Sequence, residues 1–63
     1  MNQYLIKYSS QDMPKDYVGR SVKWAHSERD AINLLLRNKY KKGGTCTFKR
    51  GSHGHILSVE EIK

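Results

Sequence analysis

Six basic side chains lie in a segment that contains no acidic residue, from Ala31 to Val59. They make up half of the twelve Lys and Arg residues of the chain. Charge of one sign along such a stretch attracts polyanions, and nucleic acid is the commonest polyanion in a cell. We therefore expect these side chains to contact phosphate groups, with Tyr40 available to stack on a base. The six expected phosphate contacts are Arg37, Lys39, Lys41, Lys42, Lys49 and Arg50.

Histidine and cysteine side chains suggest a second kind of chemistry. His53 and His55 are separated by one residue in a glycine-rich segment. These two histidines, together with His26 and Cys46, do not show the paired ligand spacing of a zinc site. Cys46 occupies an apolar strand position, where burial raises the pKa of a thiol and hides it from a substrate. We therefore expect no metal, no cofactor and no catalytic residue. Enzymatic activity stays open, although we favour a nonenzymatic protein.

The segment 39–44 combines lysines with Gly43 and Gly44. Glycines allow a backbone to approach a phosphate closely, and lysines supply the charge. The spacing of a P-loop is absent, and so is the aromatic strand motif of an RNA-recognition sheet. A simple solvated helix end is the alternative, since basic residues are favoured near a helix C-terminus.

Length and composition limit the classes of protein to consider. The 63 residues are enough for one domain, 1–63, and their net charge of +6 favours association with polyanions. A single cysteine fits a reducing compartment. The chain has no apolar run of about 18 residues and its N-terminus lacks the features of a signal peptide, so we expect a cytoplasmic protein without membrane contact.

Hydrophobic periodicity predicts two strands, a helix and two further strands. Ser27 has the side chain of a helix N-cap, and the leucine-rich segment after it has helical spacing. The apolar arc of this helix spans about 200°, with Leu34 and Leu36 at its margins. Either a marginal leucine packs under a loop, which we favour, or the excess marks a dimer or partner contact. The predicted elements are strand 2–9, strand 17–25, a helix from 27 to between 38 and 40, strand 45–50 and strand 55–62.

One helix can cover one face of the expected four-stranded antiparallel sheet, which defines an α+β domain. The other face is then open to water, and Lys7 and Lys23 are expected there as further nucleic-acid contacts. Strict alternation of strand residues assigns the two faces, although a slip of one residue would exchange them. The expected buried residues are Tyr4, Ile6, Tyr8, Val22, Trp24, Cys46, Phe48, Leu57 and Val59, against Ile32 and Leu35. The expected open face is Leu5, Lys7, Tyr17, Ser21, Lys23, Thr45, Thr47, Lys49 and Ser58.

Gly51-Ser52-His53, after a leucine-rich helix and a glycine turn, resembles a segment of HicA-type mRNA interferases. Those proteins are small, basic and RNA-cleaving, with a double-stranded-RNA-binding-like fold. By this resemblance alone, His53 would act in RNA cleavage. In element order, the chain also resembles ribosomal L18ae/LX-type proteins and small phage inhibitors of host RNA polymerase, which makes an RNA partner and a protein partner both credible.

Three hypotheses follow from these observations. The first is a nonenzymatic protein that binds RNA or single-stranded DNA through its basic loop and sheet face. The second is an inhibitor or regulatory module, from a phage or mobile element, that binds a larger protein with an acidic surface. The third is a small ribonuclease that uses His53. The sequence leaves the oligomeric state undetermined.

Overall fold

The fold contains one helix and four strands in the order ββαββ. A computed structural model describes all 63 residues, and its strands form one antiparallel sheet of order β2-β1-β4-β3. The helix packs against one face of this sheet, so the predicted α+β architecture is confirmed. At six residues, the helix is not long and apolar enough to cross a membrane. The elements are β1 (Asn2–Ser10), β2 (Gly19–Ala25), α1 (Glu28–Asn33), β3 (Cys46–Thr47) and β4 (His53–Ile62).

The start of α1 follows the sequence prediction. Ser27 is the N-cap, and its Oγ accepts a hydrogen bond of 3.1 Å from the backbone N–H of Asp30. Glu28 and Asp30 place negative charge in the first turn, where it interacts favourably with the helix dipole. Ala31 and Ile32 then enter the core.

The end of α1 differs from the prediction, because the helix stops at Asn33 and does not reach residues 38 to 40. Bonds to the third preceding residue tighten the next turn, and the chain then joins the edge of the sheet. There the N–H of Arg37 donates to the Thr47 carbonyl at 2.8 Å, and the Lys49 N–H donates to the Leu35 carbonyl at 3.0 Å. Pairing with the sheet therefore takes the backbone groups that a longer helix would have used.

Two hydrophobic clusters lie between α1 and the sheet. Leu36, predicted to lie at the margin of the helix, follows α1 and is buried beside Phe48, whereas Leu34 stays exposed. The core also contains Ala25 and Ala31, two small residues at the junction of β2 and α1. The first cluster is Tyr4, Ile6, Ala25 and Ala31, and the second is Ile32, Leu36, Cys46 and Phe48.

The predicted faces of β2 are wrong. Tyr4 of β1 pairs with Lys23, so Lys23 lies on the helix face and Val22 and Trp24 lie on the open face. Trp24 is 61% exposed and Val22 47%. A Cβ on Gly19 would lie 2.5 Å from the Tyr8 ring, so the helix face of β2 has no room for a side chain at this position.

A register shift opposite Lys7 and Tyr8 changes which residues of β4 lie on each face of the sheet. Leu57 has no direct partner on β1 and is 54% exposed, although alternation predicts it to be buried. Ile56 and Val59, three residues apart, both pack on the core. This bulge explains the error, since an extra residue resets the alternation.

The boundaries of the last two strands also differ from the prediction. β3 is only Cys46–Thr47, and β4 begins at His53, so the turn lies at residues 48–52. β2 begins at Gly19, which leaves Tyr17 in the preceding loop. Of the expected open face, Leu5, Lys7, Thr47 and Ser58 lie there by register, whereas Ser21 and Lys23 lie on the helix face.

Candidate functional site

A cleft of about 240 Å³ opens on the helix side of the sheet. Three basic side chains surround it, Lys23 from β2 and Lys49 and Arg50 from the turn between β3 and β4. They come from segments about 26 residues apart in the chain, so only the folded protein brings them together. Apolar groups form the rest of the lining, namely Tyr8, Leu34, Leu35 and Phe48.

Backbone hydrogen bonds fix the turn that carries two of these cations. The Phe48 N–H donates to the Ser52 carbonyl at 2.9 Å, and the Gly51 N–H donates to the Phe48 carbonyl at 2.8 Å. Gly51 has a φ of 100°, a conformation that glycine adopts without a steric penalty. Because Lys49 is also tied to Leu35, the turn holds its two basic residues against the end of the helix.

The wall of the cleft contains an aromatic pair. The ring centroids of Tyr8 and Phe48 are 5.2 Å apart and their planes are tilted by 46°. Phe48 is buried, whereas Tyr8 is partly exposed. Gly19 leaves the space that the Tyr8 ring occupies. The cleft therefore combines a partly exposed aromatic side chain with positive charge.

The charges at the cleft are only partly balanced. Arg50 forms the one salt bridge of the protein, 3.3 Å from the Asp12 carboxylate, and its Nε donates to Ser52 Oγ at 3.2 Å. A hydrogen bond from the Ser10 hydroxyl is the main cause that lowers the pKa of Asp12, and Arg50 lowers it further. Lys23 and Lys49 have no carboxylate partner, so net positive charge remains at the cleft.

The other predicted contact residues divide between the two sides of the sheet. Arg37 lies near the cleft, because its guanidinium donates to the Lys49 carbonyl at 3.1 Å. Tyr40 packs against the second core cluster, and its N–H donates to the Asn33 side chain. Lys7 pairs with Arg20 and lies on the open face, away from the cleft. Lys39, Lys41 and Lys42 are exposed in the loop before β3.

The histidines and Cys46 do not form a cluster that could hold a metal ion. His53 pairs with Thr47 across β3 and β4, and its Nδ1 lies 3.1 Å from Thr47 Oγ1. This pair is on the open face, because the neighbouring Cys46 points into the core. Burial raises the pKa of the Cys46 thiol. His53 and the basic cleft therefore lie on opposite faces of the sheet.

The open face carries an apolar patch that strict alternation does not predict. Trp24 and Ile62 flank Gln3 in one row, and Val22 lies beside Leu5 in the next row. Lys7 and Arg20 follow in a third row. The alternation of small residues at Gly19, Ser21 and Ala25 is the sequence signal that could have assigned Val22 and Trp24 to this face.

Comparisons of the chain with protein-family models, with curated proteins and with solved structures find no match.

Proposed function

We propose that the protein binds single-stranded nucleic acid, either RNA or single-stranded DNA, without catalysing a reaction on it. The convergence of Lys23, Lys49 and Arg50 on one cleft is the observation that carries the proposal. Phosphate attraction supplies most of the affinity in nonspecific nucleic-acid binding, and aromatic side chains add base stacking. The cleft offers both, since Tyr8 borders the cations.

The size of the cleft favours a flexible strand over a duplex. Pockets that enclose a whole small ligand usually have volumes of roughly 300–1,000 Å³, and this cleft is smaller. It suits one base or one phosphate of a longer strand. In a duplex the bases are stacked inside and cannot present a flat face to Tyr8, whereas a single strand can. Lys39, Lys41 and Lys42 would contact neighbouring phosphates.

A binding titration with a matched charge control tests this proposal. The cleft variant is Lys23→Gln/Lys49→Gln/Arg50→Gln, and the control is Lys15→Gln/Arg29→Gln/Lys63→Gln, which removes three exposed cations that do not line the cleft. Fluorescence anisotropy of a labelled uridine oligomer is measured over a range of salt concentrations. The cleft variant should lose much more affinity than the control, and its log–log salt slope should become shallower by roughly 2.

Three outcomes would contradict the proposal. Equal losses in the two triple variants would mean that only net charge matters, and binding of the parent that does not change with salt would exclude phosphate contacts. Tighter binding to duplex than to single strands would contradict the choice of ligand. Cleavage of the oligomer that His53→Ala abolishes would support the ribonuclease hypothesis instead.

A protein with an acidic surface is a second candidate partner, because Leu34 is exposed beside the cations of the cleft. An acidic segment with an apolar anchor would use both features. Leu34→Glu should then release a partner that survives nuclease treatment, without unfolding the domain. We propose a cytoplasmic location for either function, since Cys46 is a free thiol.

A further inference from the structure

The two edges of the sheet differ in how their backbone groups are satisfied. At one edge, the segment Leu35–Arg37 hydrogen-bonds to residues 47 and 49, beside β3. At the other edge, β2 pairs only with β1, and no hydrogen bond outside that ladder involves a backbone group of Gly19–Ala25. β2 therefore presents a seven-residue edge on which the outward-facing N–H and C=O groups, those of alternate residues, are unpaired, and this edge is a template for another strand.

We propose that a second copy of this chain pairs with that edge, so that two β2 strands form an antiparallel ladder around a twofold axis at Val22. In this register all seven residues of β2 find a partner, because residues at equal distances from Val22 face each other. Val22 meets the partner's Val22, and Arg20 meets the partner's Trp24. Ser21 meets the partner's Lys23, and Gly19 meets the partner's Ala25.

The side chains of β2 complement one another in this register. On the open face, the guanidinium of Arg20 reaches the exposed indole of the partner's Trp24, a cation–π contact that occurs twice by symmetry. On the helix face, Lys23 faces a neutral serine. A ladder centred on Lys23 would oppose two lysines and leave Gly19 and Arg20 unpaired. Only a ladder centred on Val22 pairs all seven residues of β2, and it opposes no like charges.

Such a dimer contains one continuous eight-stranded sheet with both basic clefts on its helix side. Its formation does not depend on nucleic acid. Each protomer carries a net charge of +6, so the two copies repel each other over long range. Added salt screens this repulsion, and dimerisation should strengthen as salt rises. Binding to nucleic acid should weaken under the same change, which separates the two properties.

Sedimentation velocity of the nuclease-treated protein, over a range of concentrations at high salt, tests the dimer. Trp24→Arg places a cation opposite the partner's Arg20 and should weaken dimerisation roughly tenfold or more. Adding Arg20→Glu should restore it, because the introduced arginine then faces the introduced glutamate of the other copy. Leu57→Arg is the matched control, since Leu57 is also exposed but lies on β4.

Three results together would establish the β2 interface. Trp24→Arg removes dimerisation, the double variant recovers it, and Leu57→Arg leaves it intact. Circular dichroism confirms that each variant is folded. A parent protein that stays monomeric at millimolar concentration and high salt would overturn the proposal. A dimer that tolerates Trp24→Arg, or one that Leu57→Arg disrupts equally, would overturn the β2 register.

Discussion

The helix face and the open face of the sheet differ in what positions their side chains and in which side chains they bury. The helix face contains both core clusters and the basic cleft, and its side chains are positioned by turns and by contacts between distant segments. The open face consists of rows of side chains that the strand register alone sets, with Trp24 and Val22 exposed. Apolar character therefore does not decide which side chains of β2 are buried. At residue 19 side-chain size decides it, because the Tyr8 ring leaves no room for a Cβ, whereas Lys23 fits on the same face at the border of the cleft.

The largest difference between the two faces should appear in stability. Ile6 has no exposed surface, whereas Ile62, on the open face, is 42% exposed. Ile6→Ala should lower the free energy of unfolding by about 2–5 kcal/mol, because it removes buried methyl groups and leaves a cavity. Ile62→Ala removes the same atoms and should cost less than about 1 kcal/mol. Urea denaturation measures both, and equal losses would contradict the assignment of faces.

A smaller loss of stability is expected for a substitution where β1 and β4 approach closely on the helix side. A Cβ added to Gly54 would lie 1.9 Å from the Ser9 carbonyl oxygen, so Gly54→Ala forces the two strands apart. We expect a cost of about 1–3 kcal/mol, which is typical of overpacking. At Gly44 the nearest atom to an added Cβ is 3.3 Å away, and Gly44→Ala serves as the control. Similar midpoints of thermal unfolding for the two variants would contradict this close approach.

The parts of the fold that local interactions determine can be predicted from the sequence, whereas the parts that tertiary contacts determine cannot. Local signals predict the order of elements and the Ser27 cap, because a cap depends on residues three positions apart. The end of the helix is not predictable locally, since Leu36 leaves it to pair with Phe48 in a distant part of the chain. The faces of β2 depend on Gly19 fitting under Tyr8, which is also a tertiary contact.

The sequence predicts that basic residues of the acid-free segment form the site, but it does not predict which strand residue joins them. The acid-free segment contains Lys49 and Arg50, and both lie at the cleft. Lys23 joins them only because β2 turns that side chain toward the helix, whereas alternation of apolar residues assigned it to the open face. Lys7 stays on the open face, so two strand lysines predicted to act together lie on opposite sides.

Single substitutions of lysine test which face contacts nucleic acid. Lys49→Gln removes one cation from the cleft, and Lys7→Gln removes one from the open face. If the cleft is the binding surface, Lys49→Gln should weaken binding several-fold and reduce the salt slope by roughly 0.7, while Lys7→Gln should leave both nearly unchanged. Anisotropy titrations of the uridine oligomer measure the two effects. A larger loss for Lys7→Gln would move the binding surface to the open face.

The smallest expected effect concerns the thiol of Cys46 on the helix face. Burial raises its pKa above the ordinary value of 9.0, so the folded protein holds the thiol proton at a pH where the unfolded chain has lost it. The protonated Cys46 thiol contributes fully to stability below the pKa that it has in the unfolded chain. This contribution is lost as the pH rises from there through the higher pKa of the folded protein. Alkylation of Cys46 at pH 9 should therefore be slow in the folded protein. The cysteine of a Cys46→Ala/Leu57→Cys variant, on the exposed bulge of β4, should react at the rate of a free thiol, and equal rates would show that Cys46 is not shielded.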